Sequence, residues 1–299
     1  MAMELICGEL AMRIQIDADL AKAVFTLPQS GGAFDPDFYA YLQKLGRRRR
    51  SVLLAFPPKA AGTFLRSAAI DAIGGQLMRI VHAYGGREAQ PYLPALLHYL
   101  IGDPTAPTMV THVHMQAQPA NRHFIDALDM KPVVMLRSVP DMLCSFVDML
   151  NAEPISPELW INSMIPQNFP ALDPETQSDF IVDVMGPWYA SYFATWLDYA
   201  RSFPSRVCVL RFADFKREPA TTLRLLLAHS GLECTDYMCQ RAIDIAWKER
   251  AGLRYNKGEV GRGAMRFHEG HLAHLETILF RHYDLSAFRD DLLPEAAGL

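Results

Sequence analysis

Residues 51–74 read SVLLAFPPKAAGTFLRSAAIDAIG, and the fold turns on how they divide. Val52-Leu53-Leu54-Ala55-Phe56 is a continuous apolar run, the pattern of a strand buried on both faces. Pro57 and Pro58 stop it, since neither can donate a ladder hydrogen bond. Lys59-Ala60-Ala61-Gly62-Thr63 follows, one cation, three small residues and a hydroxyl. Phe64, Leu65, Ala68, Ala69 and Ile73 then recur at helical spacing, and Gly74-Gly75 ends the helix. The order is strand, tight loop, helix. A helix N-terminus offers unbonded N–H groups and a positive dipole end, to which Lys59 and Thr63 add a charge and a hydroxyl. Such a turn suits a phosphate or sulfate, yet similar turns occur in α/β proteins that bind no anion. The stretch alone leaves both readings open. A Walker A loop fits poorly, because Lys59 precedes Gly62 instead of following the last glycine.

Outward from this unit the composition sets bounds. The chain has 299 residues, half of them apolar, which suits one large α/β domain or two small ones. A net charge of −4 gives no reason to expect a nucleic-acid partner. Arg47 to Arg50 is the one dense basic block and reads as a solvated turn before the first core strand, with phosphate steering as the alternative. Five cysteines form no Cys-x-x-Cys pair; Cys144 and Cys208 lie in apolar segments and read as buried thiols. The odd count and the lack of a signal-peptide pattern lead us to expect a reducing, cytoplasmic setting. No window is long enough to predict a membrane span.

Read in order, residues 1–46 carry no assignable role beyond a short helix over 35–45. After the opening unit the pattern predicts strands over 77–83, 109–114, 132–136 and 206–211. It predicts helices over 88–101, 119–128, 141–150, 219–229, 236–250 and 271–283. Another, aromatic-rich helix over 176–201 is expected to break at Gly186-Pro187. Residues 151–175 hold scattered prolines among Trp160, Ile161, Phe169 and Leu172, and read as a lid over an acceptor site. Residues 253–263, LRYNKGEVGRG, form a basic glycine-rich loop. Strands alternating with helices imply a mostly parallel sheet flanked by helices, with ligands at the carboxyl ends of its strands. Three features fall at such ends: Lys59 to Thr63, the pair His112 and His114, and Arg137 with Ser145. Arg137 and Ser145 suit a phosphate gripped from two sides; equally, Arg137 would pair with Asp141 or Asp148 as a structural residue.

Together these pieces resemble the sulfotransferases that use 3′-phosphoadenosine 5′-phosphosulfate (PAPS), and their bacterial branch in particular. Pro58, Lys59, Gly62 and Thr63 match the family's strand–loop–helix signature. Arg137 and Ser145 keep its Arg-to-Ser spacing, Asn256-Lys257-Gly258-Glu259-Val260-Gly261 matches its late glycine loop, and Phe212 stands where a Tyr is common. The likeness covers roughly residues 50–285 and implies a single α/β domain with a P-loop-like architecture. It further implies that Lys59, Ala60, Ala61, Gly62 and Thr63 hold the 5′-phosphosulfate. Arg137, Ser145, Asn256, Lys257 and Gly258 would hold the 3′-phosphate, and Phe212 with Phe64 would line the adenine. Ala60 and Ala61 replace a Ser and a Gly, and Gly261-Arg262-Gly263 replaces the usual Gly-Asp-Trp.

The resemblance also implies a histidine base to take the acceptor's proton. His114 fits best, 23 residues before Arg137, and His112 is the alternative on the same strand face. The expected reaction moves the sulfuryl group of PAPS to a hydroxyl or amine of a small, fairly apolar or carbohydrate-like acceptor, leaving adenosine 3′,5′-bisphosphate (PAP). Lys59 would neutralise charge on the bridging oxygen, and no metal is expected. Two rivals stand beside this reading: an ATP-dependent phosphotransferase, and an inactive nucleotide-binding relative.

Overall fold

The computed structural model describes residues 36–81, 91–92, 96, 99–100, 102, 105–152, 164–249 and 258–294. Helix α1, Pro36–Arg48, leads into β1, Ser51–Leu54. After the loop come α2, Gly62–Ile73, and β2, Gln76–Leu77. Next are β3, Met109–His112, α3, Pro119–Ala127, β4, Pro132–Leu136, and α4, Val139–Ala152. The long helix α5, Pro174–Ser202, is followed by β5, Cys208–Arg211, α6, Phe212–Arg217, α7, Pro219–His229, and α8, Asp236–Lys248. The C-terminal part holds α9, Arg262–Arg266, α10, Glu269–Glu276, a π-helical turn over Thr277–His282, and α11, Arg289–Leu292.

The described strands form one sheet in the order β2-β3-β1-β4-β5, and every pairing is parallel. The opening stretch supplies its centre. Val52, Leu53 and Leu54 have no exposed surface, nor do Ala55 and Phe56 beyond them. Register then builds the site. Leu54 pairs with His112 on one side and Val133 on the other, and Leu136 pairs with Arg211. The carboxyl ends of β1, β3, β4 and β5 therefore lie side by side, and each is followed at once by a residue or loop of chemical interest. This is where parallel α/β sheets present ligand sites. Helix α2 buries Phe64, Leu65, Ala68, Ala69 and Ala72, and stops at Gly74, whose φ of 59° is left-handed.

Several local expectations are corrected. Only Gln76 and Leu77 pair as β2; the Met78 N–H still bonds Val110 O at 3.1 Å, after which the described chain leaves β3. β3 ends at His112, so His114 lies beyond the ladder. β5 begins at Cys208. α5 runs unbroken through Gly186-Pro187. The hydrogen bond Pro187 cannot make is outweighed by packing on both sides of it: Ile181 and Val182 before it and Tyr189, Tyr192, Phe193 and Trp196 after it are buried. Gly186 also lets α10 approach, since a Cβ there would lie 3.1 Å from Leu275. The helix expected over 271–283 starts at Glu269 and changes to the π-helical turn at Thr277. The arginine block is only partly solvated. Arg47 is exposed and bonds Asp129 at 3.2 Å, whereas Arg49 is buried, donates to the carbonyls of Tyr99 and Ala106, and lies over the Tyr99 ring. Most of the helix expected over 88–101 and residues 153–163 of the expected lid lie outside the described residues, as do residues 1–35. No described helix is long and apolar enough to cross a membrane.

Candidate active site

The loop between β1 and α2 is held in an unusual backbone. Lys59 and Ala61, neither of them glycine, adopt left-handed φ angles of 64° and 62°. Such conformations cost energy for a residue with a Cβ and gather at functional sites. Ala61 is the N-cap of α2 and has no side chain to bond the first-turn N–H groups. The first turn thus has no side-chain cap, and a helix N-terminus of this kind is suited to an oxyanion. Turning N–H groups toward a ligand leaves carbonyls to be satisfied elsewhere. α5 supplies the donors: Tyr189 Oη bonds the Pro58 oxygen at 3.0 Å, Tyr192 bonds the Ala55 oxygen, and Trp196 Nε1 bonds Met115 O at 2.9 Å. Burial pushes the Tyr192 hydroxyl's pKa well above its usual value, which keeps it a donor. The aromatic composition of α5 was legible in the sequence, but this buttressing role was not.

His112 sits against the loop. A Cβ on Gly62 would lie 2.2 Å from His112 Nε2, so this position must be glycine. The His112 and His114 rings meet edge to face with centroids 4.9 Å apart. His114 Nδ1 lies 2.7 Å from the Phe56 carbonyl, which can only accept, so Nδ1 carries the proton and Nε2 is the basic nitrogen. His112 also forms part of the wall of a cavity of about 240 Å³ at the carboxyl ends of β2 and β3.

Arg137 follows β4 directly. Its guanidinium donates to the Lys59 carbonyl and lies over the Phe212 ring, 4.0 Å from the centroid. Phe212 is thus a platform for Arg137 and is itself only 4% exposed. Phe64 is buried against Phe215 and Trp247, with ring centroids 5.6 and 4.8 Å away, so it belongs to the core beneath the loop. Ser145 lies in the second turn of α4 and is buried.

The two carboxylates considered as partners of Arg137 serve the glycine loop. Asp141 accepts from the N–H groups of Gly261 at 2.9 Å and Gly263 at 2.8 Å, and Asp148 accepts from Arg262 at 2.7 Å. Gly263 packs so closely that a Cβ would lie 2.4 Å from the Pro140 backbone. Gly261-Arg262-Gly263 therefore docks the loop onto α4, and Gly258 and Gly261 provide left-handed turns with φ of 62° and 85°. Asn256 and Lys257 lie outside the described residues. Phe169 and Leu172, expected to face an acceptor, are instead tied down. Phe169 is buried, and Gln177 Nε2 donates to both carbonyls at 3.1 and 3.2 Å.

Elsewhere among the described residues, Glu175, His268 and His271 offer ligand atoms within 4.8 Å of one another. His268 Nδ1 is already engaged there, accepting from the Gly270 and His271 N–H groups as the cap of α10.

No family model matches the sequence. No curated protein matches it either. Solved structures do. Mouse sulfotransferase SULT7A1, complexed with PAP, gives a TM-score of 0.57 at 15% identity, over 87% of this chain and 96% of that one. A retinol dehydratase in complex with androsterone and inactive cofactor PAP gives 0.45 at 12% identity, over 86% of each chain. A sulfotransferase from Alicyclobacillus acidocaldarius gives 0.36 at 17% identity, over 78% of this chain and 97% of that one. The last two carry no argument. The first shows the fold: a parallel sheet flanked by helices, as in the sulfotransferases.

Proposed function

We propose that this chain, built on the sulfotransferase fold, transfers the sulfuryl group of PAPS to a hydroxyl or amine of a small acceptor. The observation that carries the reading is the contact of His112 with Gly62, which sets an imidazole at an uncapped, left-handed strand–helix loop. PAPS would supply an activated sulfuryl group whose departure places charge on a phosphate oxygen. Lys59 and the N–H groups of Ala60 to Thr63 are suited to hold that anionic end and to neutralise the charge as it grows. The loop's carbonyls are already satisfied by Tyr189, Tyr192 and Arg137, so the donors need not reorganise. Arg137, Ser145 and the loop that continues through Gly258 are assigned to the 3′-phosphate, with Phe212 holding Arg137 in plane.

For the base, sequence favours His114 and geometry favours His112. His112 faces both the cavity and Gly62, so it takes the acceptor's proton in our reading. His114, fixed by Phe56, orients it. Residues 151–175 remain our candidate for a lid. The free thiols of Cys144, Cys208, Cys234 and Cys239 support a reducing, cytoplasmic setting.

The test is a thermal-shift comparison of PAP, ADP and ATP–Mg²⁺, followed by transfer from PAPS to simple phenols. Stabilisation by PAP above the others, with sulfate ester formed, supports the reading. Stabilisation by ATP–Mg²⁺ and not PAP would make the protein a phosphotransferase.

A further inference from the structure

We propose that the acceptor carries an anionic group, a carboxylate or a sulfate or phosphate monoester, and that Arg66 with Arg79 binds it in the cavity beside His112. This rests on the sulfuryl-transfer reading above and names the substrate class of that site.

The cavity, about 240 Å³, is the size of a single small ring with a substituent. Arg66, Arg79, Thr111 and His112 give it polar walls, and Met78 and Ile80 apolar ones. No acidic residue lines it among the described residues. Arg66 stands in the second turn of α2, and its Nε is buried with no hydrogen-bond partner. Among the described residues no carboxylate makes an ion pair with it. The one acid of α2, Asp71, has its pKa raised by burial and by Glu249, with Arg241 acting the other way, and Arg66 is not among its influences. Burial lowers the Arg66 pKa, and no neighbouring charge offsets that effect. A guanidinium nevertheless stays protonated in a protein. The wall thus holds a half-buried cation with no ion-pair partner among the described residues, beside a second arginine. Such a charge is tolerable where a ligand neutralises it. A planar fork of donors is also the group best matched to carboxylate, sulfate and phosphate oxygens.

The donor's own anions do not account for Arg66. Lys59 and the first turn of α2 do not line the cavity at the ends of β2 and β3, whereas Arg66 does. His112 touches both places, lying against Gly62 and lining the cavity. An acceptor anchored by its anion at Arg66 would therefore extend its hydroxyl toward His112. The anionic anchor adds a charged group to the expected small, fairly apolar or carbohydrate-like acceptor.

Calorimetry on the full chain decides the matter, with 4-hydroxybenzoate and phenyl phosphate as probes and 4-hydroxybenzamide as the neutral counterpart. Each titration is done with and without saturating PAP. We expect each anion to bind at least about tenfold more tightly than the amide. That preference should vanish in Arg66→Gln and Arg66→Met and persist in Arg66→Lys, while PAP affinity changes less than about twofold. Two charge-removing variants are used so that a folding defect in one leaves the other to decide. Equal binding of anions and amide by the wild type, no binding of either, or a preference that survives both variants would overturn the proposal. Failure of PAP to bind, with the anion preference intact, would instead overturn the sulfotransferase reading alone.

Discussion

The Arg137 guanidinium donates to the main-chain oxygen of Lys59 while its face rests on Phe212, with 4.0 Å from its central carbon to the ring centroid. One side chain thus braces the left-handed turn at Lys59 from the end of β4, where our reading assigns it to an anion. Removing it should have two effects that a pure ligand contact would not combine. Arg137→Ala should destabilise the unliganded protein by about 1–3 kcal/mol, because a carbonyl loses a charged donor. PAP affinity should fall at least about tenfold. Urea unfolding with and without PAP measures both. An unliganded stability equal to wild type would show that the Lys59 contact contributes nothing.

The approach of His112 to Gly62 predicts strong non-additivity. Gly62→Ala puts a methyl carbon 2.2 Å from the present position of His112 Nε2, so the ring must move. If His112 is the base, Gly62→Ala and His112→Ala should each cut turnover by about 10²–10⁴. The double variant should be no slower than His112→Ala alone. His114→Ala should give a smaller loss, together with lower stability from the unpaired Phe56 carbonyl. A reversed order, with His114→Ala inactive and His112→Ala active, would return the base to His114.

The parts of this site that the sequence announces are those whose cause is local. An apolar run, two prolines, small residues and a helical period specify β1, the loop and α2 within 24 residues. β4 and Arg137 are legible for the same reason. The missed parts are long-range. Nothing near Tyr192 says that its hydroxyl will meet Ala55, 137 positions away, or that Asp141 will hold Gly261 and Gly263. β2 is shorter than expected over its described part because a residue pattern does not report whether a neighbouring strand is in reach, and residues 82–83 lie outside the described residues. Pro187 was given too much weight because one lost hydrogen bond is small against the burial of four aromatic rings. Trp160 and Ile161, whose composition suggested a fairly apolar acceptor, lie outside the described residues, and Arg66 and Arg79, which line the cavity, carry no motif.

Asp141 should matter to ligand binding without touching ligand. It joins α4 to the glycine loop through two charge-assisted bonds of 2.9 and 2.8 Å. Asp141→Asn keeps the shape but leaves one amide hydrogen pair facing a backbone donor. We expect a loss of about 1.5–3 kcal/mol in stability and a weaker affinity for PAP than for AMP relative to wild type. Hydrogen exchange at Gly261 and Gly263 should speed up in the same variant. Unchanged protection there would mean that the loop is held by Arg262 and Asp148 alone.

His229 gives a pH prediction. Burial is the main cause that holds its pKa below the ordinary value of 6.5, and Lys131 adds to it, while the backbone bonds to Arg206 and Pro132 act the other way. The folded ring therefore resists a proton that the unfolded ring accepts. The stability gained by keeping it neutral is full above pH 6.5 and is lost as pH falls below that value. His229→Gln should flatten the stability profile on the acid side. A profile as steep as wild type would assign the slope to other groups.

Lys59 combines chemistry and strain at one position. Its φ of 64° is a conformation that glycine adopts readily and a lysine does not. Replacing it by glycine should therefore relieve the backbone and stabilise the unliganded protein by up to about 1 kcal/mol. Lys59→Ala keeps the strain and should bring no such gain. Both variants remove the ammonium. If Lys59 holds the donor's anionic end as proposed, that charge contributes to binding in the ground state, and its contribution grows in the transition state as the leaving oxygen gains charge. Both variants should then lose more in single-turnover transfer from saturating PAPS than in PAP affinity. Lys59→Arg should rescue poorly, since a planar fork does not replace a compact ammonium in so tight a turn. The decisive pattern is a Lys59→Gly protein that is more stable than wild type and much slower. A Lys59→Gly enzyme transferring at the wild-type rate would remove the lysine from the chemistry and leave its strained backbone without a purpose.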